Sequence, residues 1–436
     1  MRIPSPKEIH SFASEASRQI LEAPLYSAGI ALYRFGVRVA GLGNDKARKL
    51  DRGQRETYSR IRHHLHPDDR VIWIHAASLG EFEQGRPLIE RIKRERPEYK
   101  VLLTFFSPSG FEVRKDYPLA DCVCYLPFDT PYRVHKFIKE IRPEKAIFVK
   151  YEIWRNYLHE LYKHQIPTYL ISAVFRPSQP FFRKIGVWYG LWLKWYTRIF
   201  VQDERSRELL QSINVTNVEV AGDTRFDRVT DIKAARREIP ELKRFTRRSD
   251  PKRPLTMMAG SSWPQDEDVY ADWVNANPEV KVVIAPHEFN TERLEKLSAR
   301  FRHGAVLMSE ARLKPEILDD AQVLIMDCFG LLSSAYAYCD FAYVGGGFGA
   351  GLHNINEAAV YGVPVIYGPN HQKFIEANEM SDLGGGLPVE STDDFCKWAD
   401  RLVHDPQELD RRGKWAADYI QSKIGATDKV FNAIFR

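Results

Sequence analysis

Cysteine is scarce in this chain and never paired in pattern. The five cysteines, Cys122, Cys124, Cys328, Cys339 and Cys396, form no CxxC motif. An odd count without that spacing excludes a disulfide framework and a zinc ribbon, and it fits free thiols in a reducing compartment. Long apolar runs are also missing: no stretch reaches the roughly 18–20 uninterrupted apolar residues of a spanning helix. The N-terminus begins polar and lacks the order of charge, apolar run and small-residue cleavage site of a secretory signal. Strong charge of one sign is absent as well. The chain has 63 basic and 58 acidic residues, a net +5, which is small for a nucleic-acid binder, where a basic footprint is expected. No short repeat and no low-complexity segment interrupts it. What is present is a globular balance, 44% hydrophobic and 28% charged over 436 residues, enough for two or three domains.

From residue 70 onward, apolar β-rich runs alternate with amphipathic ones. The first half predicts strands at Val71–Ala77, Lys100–Ser107, Asp121–Phe128, Lys145–Glu152, Pro167–Phe175 and Arg198–Asp203. The second half repeats the plan at Leu255–Ser261, Lys281–His287, Ala305–Met308, Gln322–Asp327, Phe341–Gly345 and Pro364–Tyr367. Buried continuous runs separated by helices predict a parallel sheet covered on both faces. The expected fold is therefore α/β, two doubly wound Rossmann-like domains facing a central cleft. The expected organisation is an N-terminal helical segment (1–50), a first domain (51–230), a charged linker (231–253) and a second domain (254–436), with the last helix packing back on the first domain. In such sheets ligands bind beyond the carboxyl ends of the strands.

Two segments raise the question of a membrane. Ile20 to Ala40 is mostly apolar, interrupted by Arg34 and Arg38, and the basic run Lys46, Arg48, Lys49, Arg52, Arg55 follows. That pattern suits a helix lying on an anionic leaflet, or a soluble amphipathic helix docked on the first domain. Phe181 to Arg198 interleaves aromatics and cations, including Trp188, Trp192 and Trp195. It is expected to be a surface touching lipid, the alternative being a core-packing helix.

The motifs fall at strand ends. His75-Ala-Ala-Ser78-Leu-Gly80-Glu81 follows the first strand and opens a helix. Its small residues allow a tight turn and close approach of a ligand. Glu81, in the first turn, is placed to take a proton from an attacking hydroxyl, or simply to complement the helix dipole. Ser107-Pro108-Ser109-Gly110 offers hydroxyls and backbone N–H groups to an anion, although an N-cap explains Ser107 equally well. Lys150-Tyr151-Glu152 puts two charges at an otherwise apolar strand end, as recognition residues or as an ion pair at a domain edge. Gly345-Gly346-Gly347-Phe348-Gly349-Ala-Gly351 follows a strand and precedes a helix, which points to phosphate binding. No GK[ST] follows it, so it is not a Walker loop. Asn354 and Glu357 behind it form a capping-box-like pair or meet ribose hydroxyls. Ser261 and Ser262, with Pro286 and His287, lie at two further strand ends, where they can meet a phosphate or nucleotide, although a lone histidine such as His287 is more often structural or exposed.

Taken in order, these motifs resemble those of the Kdo (3-deoxy-D-manno-octulosonic acid) transferases. The residues that carry the likeness are His75–Glu81, Tyr125–Asp129, Glu152–Trp154, Ile171–Ala173 with Arg176 and Ser178, Ala221–Asp227, and Gly345–Glu357. The resemblance implies a GT-B glycosyltransferase fold with an acceptor domain first and a donor domain second. It implies CMP-Kdo as donor, a lipid A precursor as acceptor, inversion at the anomeric carbon, and no tightly bound metal or other cofactor. It implies Glu81 as general base and Glu152 as a second catalytic residue, at an important acidic position. Ser261, Ser262, Pro286, His287, Gly346, Gly347, Gly349, Asn354 and Glu357 are then the donor residues. Ser78, Gly80, Ser107, Ser109, Gly110, Lys150, Arg176 and Ser178 are the acceptor residues. The partners implied are these two substrates and the cytoplasmic leaflet of the bacterial inner membrane, not nucleic acid. The chain departs from the family pattern at Lys150-Tyr151, where many members carry an acidic residue and Thr. It departs again at Pro286-His287, where many place a basic residue between the two. Another nucleotide sugar, or a non-catalytic binding protein on the same scaffold, are the competing readings.

Overall fold

The computed structural model describes residues 6–182, 187–247, 250, 252–349 and 351–436, with side chains from residue 23 onward except 187–189. Contacts divide the chain into two units. One is Met1–Arg225 with Gly425–Arg436, and the other is Phe226–Ile424.

In the first unit, seven strands form one parallel sheet: β1 Arg70–His75, β2 Tyr99–Phe105, β3 Cys122–Tyr125, β4 Pro143–Val149, β5 Thr168–Ala173, β6 Arg198–Val201 and β7 Val218–Val220. Their order is β3-β2-β1-β4-β5-β6-β7. β1 shows why this run must be a central strand. Val71 and Trp73 enter the core on one face, Ile72 and Ile74 the core on the other, and none is exposed. Only a strand covered by helices on both sides can hide every side chain in such a run. Trp73 is accommodated because its indole N–H donates to Thr104 Oγ1 at 2.8 Å. Cys122 and Cys124 share a face and pack in the Trp73 core as free thiols.

Helices α1 (Pro6–Ala40), α2 (Asp45–His64), α3 (Leu79–Glu95), α4 (Pro108–Arg114), α5 (Pro131–Ile141) and α6 (Arg155–Lys163) belong to this unit. α5 begins with proline in its first turn, and buries Val134, Phe137, Ile138 and Ile141, one stripe at helical spacing. α1 is tied down by Asp129, which accepts from Tyr26 Oη at 2.7 Å and from the first backbone N–H groups of α6, Asn156 at 3.1 Å and Tyr157 at 3.0 Å. The terminal helix Ala426–Phe435 packs on α3, burying Val430, Phe431 and Ile434.

The second unit repeats the design with β8 Thr256–Ser262, β9 Lys281–Pro286, β10 Ala305–Leu307, β11 Val323–Ile325, β12 Phe341–Val344, β13 Val365–Tyr367 and β14 Gly386–Pro388. The order is β10-β11-β9-β8-β12-β13-β14, again parallel throughout.

Two expectations change. The charged stretch 231–253 is not a bare linker. It contains the helix Pro240–Phe245, and Ile239, Leu242 and Phe245 are buried in the core of the second unit. Apolar residues three apart suffice to anchor a short helix even when its outer face is charged. The aromatic-basic stretch is also not a lipid-facing surface where its side chains are described. Trp192, Leu193 and Tyr196 are buried in the first unit's core, and Trp195 packs against it beside His159 and Tyr162. Arg183 to Gly186 of that stretch, and the side chains of Trp188 and Tyr189, lie outside the described residues.

Candidate functional site

In the first unit, the strand order reverses between β1 and β4, and the residues with chemistry gather at the carboxyl ends on either side of that point, where doubly wound sheets bind ligands. His75 ends β1, fully buried. Its Nδ1 lies 2.9 Å from Thr104 Oγ1 and its Nε2 lies 3.1 Å from Glu152 Oε2, the latter reaching over from the end of β4. Glu152 also accepts from Trp154 Nε1 at 2.6 Å, and its backbone carbonyl accepts from Tyr196 Oη at 2.7 Å. Glu152 is thus held by an imidazole, an indole and a phenol. This rigid carboxylate is better suited to positioning than to moving.

Glu81 sits at the third position of α3. Its Oε2 accepts from the Ser78 backbone N–H at 3.1 Å and from the Ser78 hydroxyl, closing a capping box. Its Oε1 has no hydrogen bond among the described residues. Both roles weighed for this residue are therefore open to one side chain: one oxygen caps the helix and the other remains accessible. The Ser107–Gly110 turn is bonded to the same loop, with the Phe106 and Ser107 N–H groups donating to Ala77 O at 3.1 and 2.7 Å. Gly110 is required there, because a Cβ would fall 2.3 Å from Phe105 and 3.0 Å from the Ser78 backbone. Ser107 caps α4, donating or accepting with Ser109 Oγ at 2.9 Å. Gly80 and Ser109 are exposed beside these groups.

Lys150 follows β4 with φ at +72°, a left-handed conformation that a lysine adopts at a cost of about 1–3 kcal/mol. Its ammonium lies 5.6 Å from the centre of the Tyr151 ring. Burial pushes the Tyr151 phenol above its usual pKa; Arg176 pulls it down, while Glu81 and Asp203 push it up further. These four side chains therefore share one electrostatic neighbourhood. Ser178, two residues beyond Arg176, is exposed with no partner among the described residues. An aromatic wall stands beside Glu152. Phe106 packs on Trp154 at 5.0 Å, on Phe128 at 5.8 Å and on Tyr33 of α1 at 6.3 Å.

In the second unit, the strand order reverses between β8 and β12, and the donor-side candidates lie at those ends. Ser261 has φ +52°, within a register shift of β8. Ser262 Oγ is buried 2.8 Å from Tyr270 Oη, and its carbonyl accepts from His287 N at 2.9 Å, next to Pro286 at the end of β9. Trp263, His287 and His353 form a stack. The indole lies 4.4 Å from the His287 ring at 23°, and the two imidazoles are 4.5 Å apart. Trp263 Nε1 donates to His353 Nε2 at 3.1 Å. Ser262 and Trp263 also line a hollow of about 310 Å³ with Pro264, Glu288, Phe289, Asn290 and Arg293. Arg293, itself paired with Glu267, a flat indole and the Asn290 amide surround this hollow, a lining that can hold a nucleotide.

The glycine loop is pinned by a residue not foreseen from its motif. Asp266, fully buried, accepts from Gly346 N at 2.9 Å, Trp263 N at 2.9 Å and Tyr343 Oη at 2.8 Å. The available signal was Trp263-Pro264-Gln265-Asp266, a proline at the first helical position with an acid two residues later. Gly346 has φ +90°, and a Cβ there would fall 2.3 Å from Gly351 O. Gly347 and Gly349 bind Asn370 through their carbonyls, at 2.9 and 3.2 Å. Asn354 donates to Glu357 at 3.1 Å, and Ser333 Oγ donates to the other Glu357 oxygen at 2.5 Å. The pairing of Asn354 with Glu357 is thus present at the start of the helix Asn356–Ala359.

Burial, and then the neighbouring His287, push the His353 imidazole down to about 4. The unfolded chain therefore takes this proton first as pH falls. The associated stability is fully present above about pH 6.5 and is lost between there and about pH 4. Protonation also removes the acceptor that Trp263 uses. Denaturant titrations at pH 7.5 and 5.0 should show a larger loss for the natural protein than for His353→Gln; equal losses would refute this assignment.

Among the described residues, His135, Glu160 and His164 have ligand atoms within 4.8 Å of one another, but they lie on α5, on α6 and just after α6, outside the residues of both strand-end clusters. Residues 52–228 match the sequence model of the family described as 3-Deoxy-D-manno-octulosonic-acid transferase (kdotransferase). A 3-deoxy-D-manno-octulosonic acid transferase of Haemophilus influenzae is 26% identical over 84% of this chain and 87% of its own length. One from Aquifex aeolicus is 24% identical over 78% of this chain and 88% of its own. Among solved structures, UDP-GlcNAc 2-epimerase from Neisseria meningitidis aligns with a TM-score of 0.55 at 13% identity, over 84% of this chain and 99% of that one. MurG of Acinetobacter baumannii aligns at 0.54 and 12% over the same shares. At such identity these structures show the fold alone, that of GT-B proteins with two Rossmann-like domains. The chain is thus similar to Kdo transferases, which are glycosyltransferases, in the matched segment 52–228 and along most of its length.

Proposed function

We propose that this protein moves Kdo from CMP-Kdo to a lipid A precursor with inversion at the anomeric carbon. The observation that carries the reading is Glu81. Within the matched domain it stands at a helix start beside the switch point, with one carboxylate oxygen committed to the cap and the other uncommitted. In the proposed step, Glu81 Oε1 takes the proton of an acceptor hydroxyl. The hydroxyl oxygen bonds to the anomeric carbon as that carbon's bond to the phosphate oxygen of CMP breaks. The glycine loop and the helix start behind it receive the leaving phosphate, and the Trp263–His287–His353 stack flanks the nucleotide. Stabilising that leaving charge with preset N–H groups supplies much of the rate gain, and no tightly bound metal or other cofactor is proposed. Glu152 orients the acceptor side.

The acceptor is a lipid, so the enzyme is proposed to work peripherally on the cytoplasmic leaflet of the inner membrane. Among the described residues no helix is long and apolar enough to cross a membrane. α1 does expose Leu25, Leu32, Phe35 and Val39, spaced seven, three and four apart along one side, which suits partial insertion into a bilayer surface. Incubation of the purified protein with CMP-Kdo, a tetraacylated lipid A precursor and EDTA should give a product heavier by one or more Kdo units. Folded protein giving no such product with CMP-Kdo, but a product with a UDP-sugar, would move the assignment to another donor. No product with any donor would favour a binding protein.

A further inference from the structure

The first unit holds a second polar hollow, apart from the strand-end cluster. It measures about 200 Å³ and is lined by Arg34 and Arg38 of α1, Asp51, Gln54, Arg55 and Tyr58 of α2, Phe128, and Arg133 of α5. Four guanidiniums converge on it with a single carboxylate, Asp51, which Arg55 already pairs. The remaining three arginines have no ion pair among the described residues. Their mutual repulsion is visible at Arg34, whose pKa is lowered by burial first and then by Arg133 and Arg38. Like charges gathered around one hollow favour an anion there.

The walls are fixed before anything binds. Gln54 is buried and clamps the chain after β3 to α2. Its Nε2 donates to Leu126 O, and its Oε1 accepts from Phe128 N at 3.1 Å. Tyr58 Oη donates to Arg133 O at 3.3 Å. Lys136, one turn after Arg133, places its ammonium 4.4 Å from the centre of the Tyr58 ring. Arginine forks match a phosphate by paired N–H···O bonds, which lysine cannot do.

We propose that this hollow is a binding site for a phosphate group carried on a lipid. The source is argued from two neighbours. Phe35 and Val39, each following a pocket arginine by one residue, are exposed on α1 with Leu32. A bilayer that takes those side chains brings its headgroups to the level of Arg34 and Arg38. Phe128, in the pocket lining, also packs on Phe106 and Tyr33, so the site adjoins the aromatic wall beside Glu152. This inference does not depend on which sugar the protein transfers.

The test uses the full chain, inorganic phosphate, and vesicles of phosphatidylcholine with and without phosphatidic acid. Phosphate should raise Tm above chloride at equal ionic strength, and phosphatidic acid should increase vesicle binding. Arg34→Gln/Arg133→Gln should abolish the phosphate effect and weaken phosphatidic acid binding by about tenfold or more, at roughly 1 kcal/mol per cation near an anionic surface. Arg38→Gln, at an exposed rim position, should weaken both in part, which keeps the test informative if the double variant folds poorly. Arg302→Gln/Lys314→Gln removes the same charge from exposed positions in the second unit and should change neither effect appreciably. Loss of the phosphate effect with unchanged vesicle binding would overturn the lipid source and leave a soluble phosphate. Pocket variants indistinguishable from the natural protein, or from the Arg302/Lys314 control, would overturn the site itself.

Discussion

Glu81→Gln should lower Kdo transfer by about 10²–10⁴-fold, the usual contribution of a general base, while leaving the protein nearly as stable. The two effects separate because a glutamine retains a capping-box acceptor for the Ser78 N–H but cannot take a proton. The complementary change is Ser78→Ala, which removes the hydroxyl half of the cap and should cost about 1 kcal/mol of stability while keeping the carboxylate. Single-turnover transfer rates with thermal melts on both variants distinguish a catalytic group from a structural one. If Glu81→Gln transfers within a few fold of the natural rate, Glu81 only caps α3 and the base must be sought elsewhere, with the His75–Glu152 pair the next candidate.

Asp266→Ala should produce the largest loss of stability of any site residue. It strips an acceptor from two backbone N–H groups and the Tyr343 phenol, all in a buried setting. Hydrogen bonds to a charged group and the penalty for orphaned donors together suggest about 3 kcal/mol or more. In a unit of this size that corresponds to a fall of roughly 6–12 °C in Tm. Because Gly346 is one of the released groups, the donor KM should rise as well, by about tenfold if ordering the loop costs about 1.4 kcal/mol. Asp266→Asn keeps an oxygen for the two N–H groups and turns an amide toward a phenol that can accept, so it should recover most of both losses. Calorimetry and donor titration on the pair read this directly. An alanine variant with unchanged Tm and donor KM would mean that the glycine loop is held by other contacts.

The legible parts of the sequence were those where one physical requirement dominates. Central strands such as Val71–Ile74 and Lys281–Ala285 are hidden on both faces, so nearly every residue in them is apolar and the run announces itself. Pro131–Ile141 opens on a proline and buries one apolar stripe, and Glu204–Ser212 is capped by Asp203, so local chemistry alone marks where both helices start. Two of the four edge strands were not visible. Val218–Val220 and Gly386–Pro388 are three residues long, too short for an apolar run to stand out, and each is held by pairing with the preceding strand alone. The aromatic-basic stretch misled because a tryptophan beside a cation looks alike at a bilayer and over a core, and only packing decides which side Trp192 faces.

The sequence by itself determined two parallel sheets, the glycine loop, and the strand ends at which Glu81, Glu152 and His287 stand. These follow from local periodicity, from turn chemistry, and from the rule that parallel strands carry ligands at their carboxyl ends. The tertiary structure alone decided the partners: that His75 reaches Glu152, that Asp266 holds Gly346, that Trp263 stacks between strand ends, and that Arg34 and Arg133 face one hollow. Each of these joins residues from about 70 to 100 positions apart or from separate strand ends. Such encounters are set by sheet order and helix packing, which a linear pattern of apolar and polar residues does not encode.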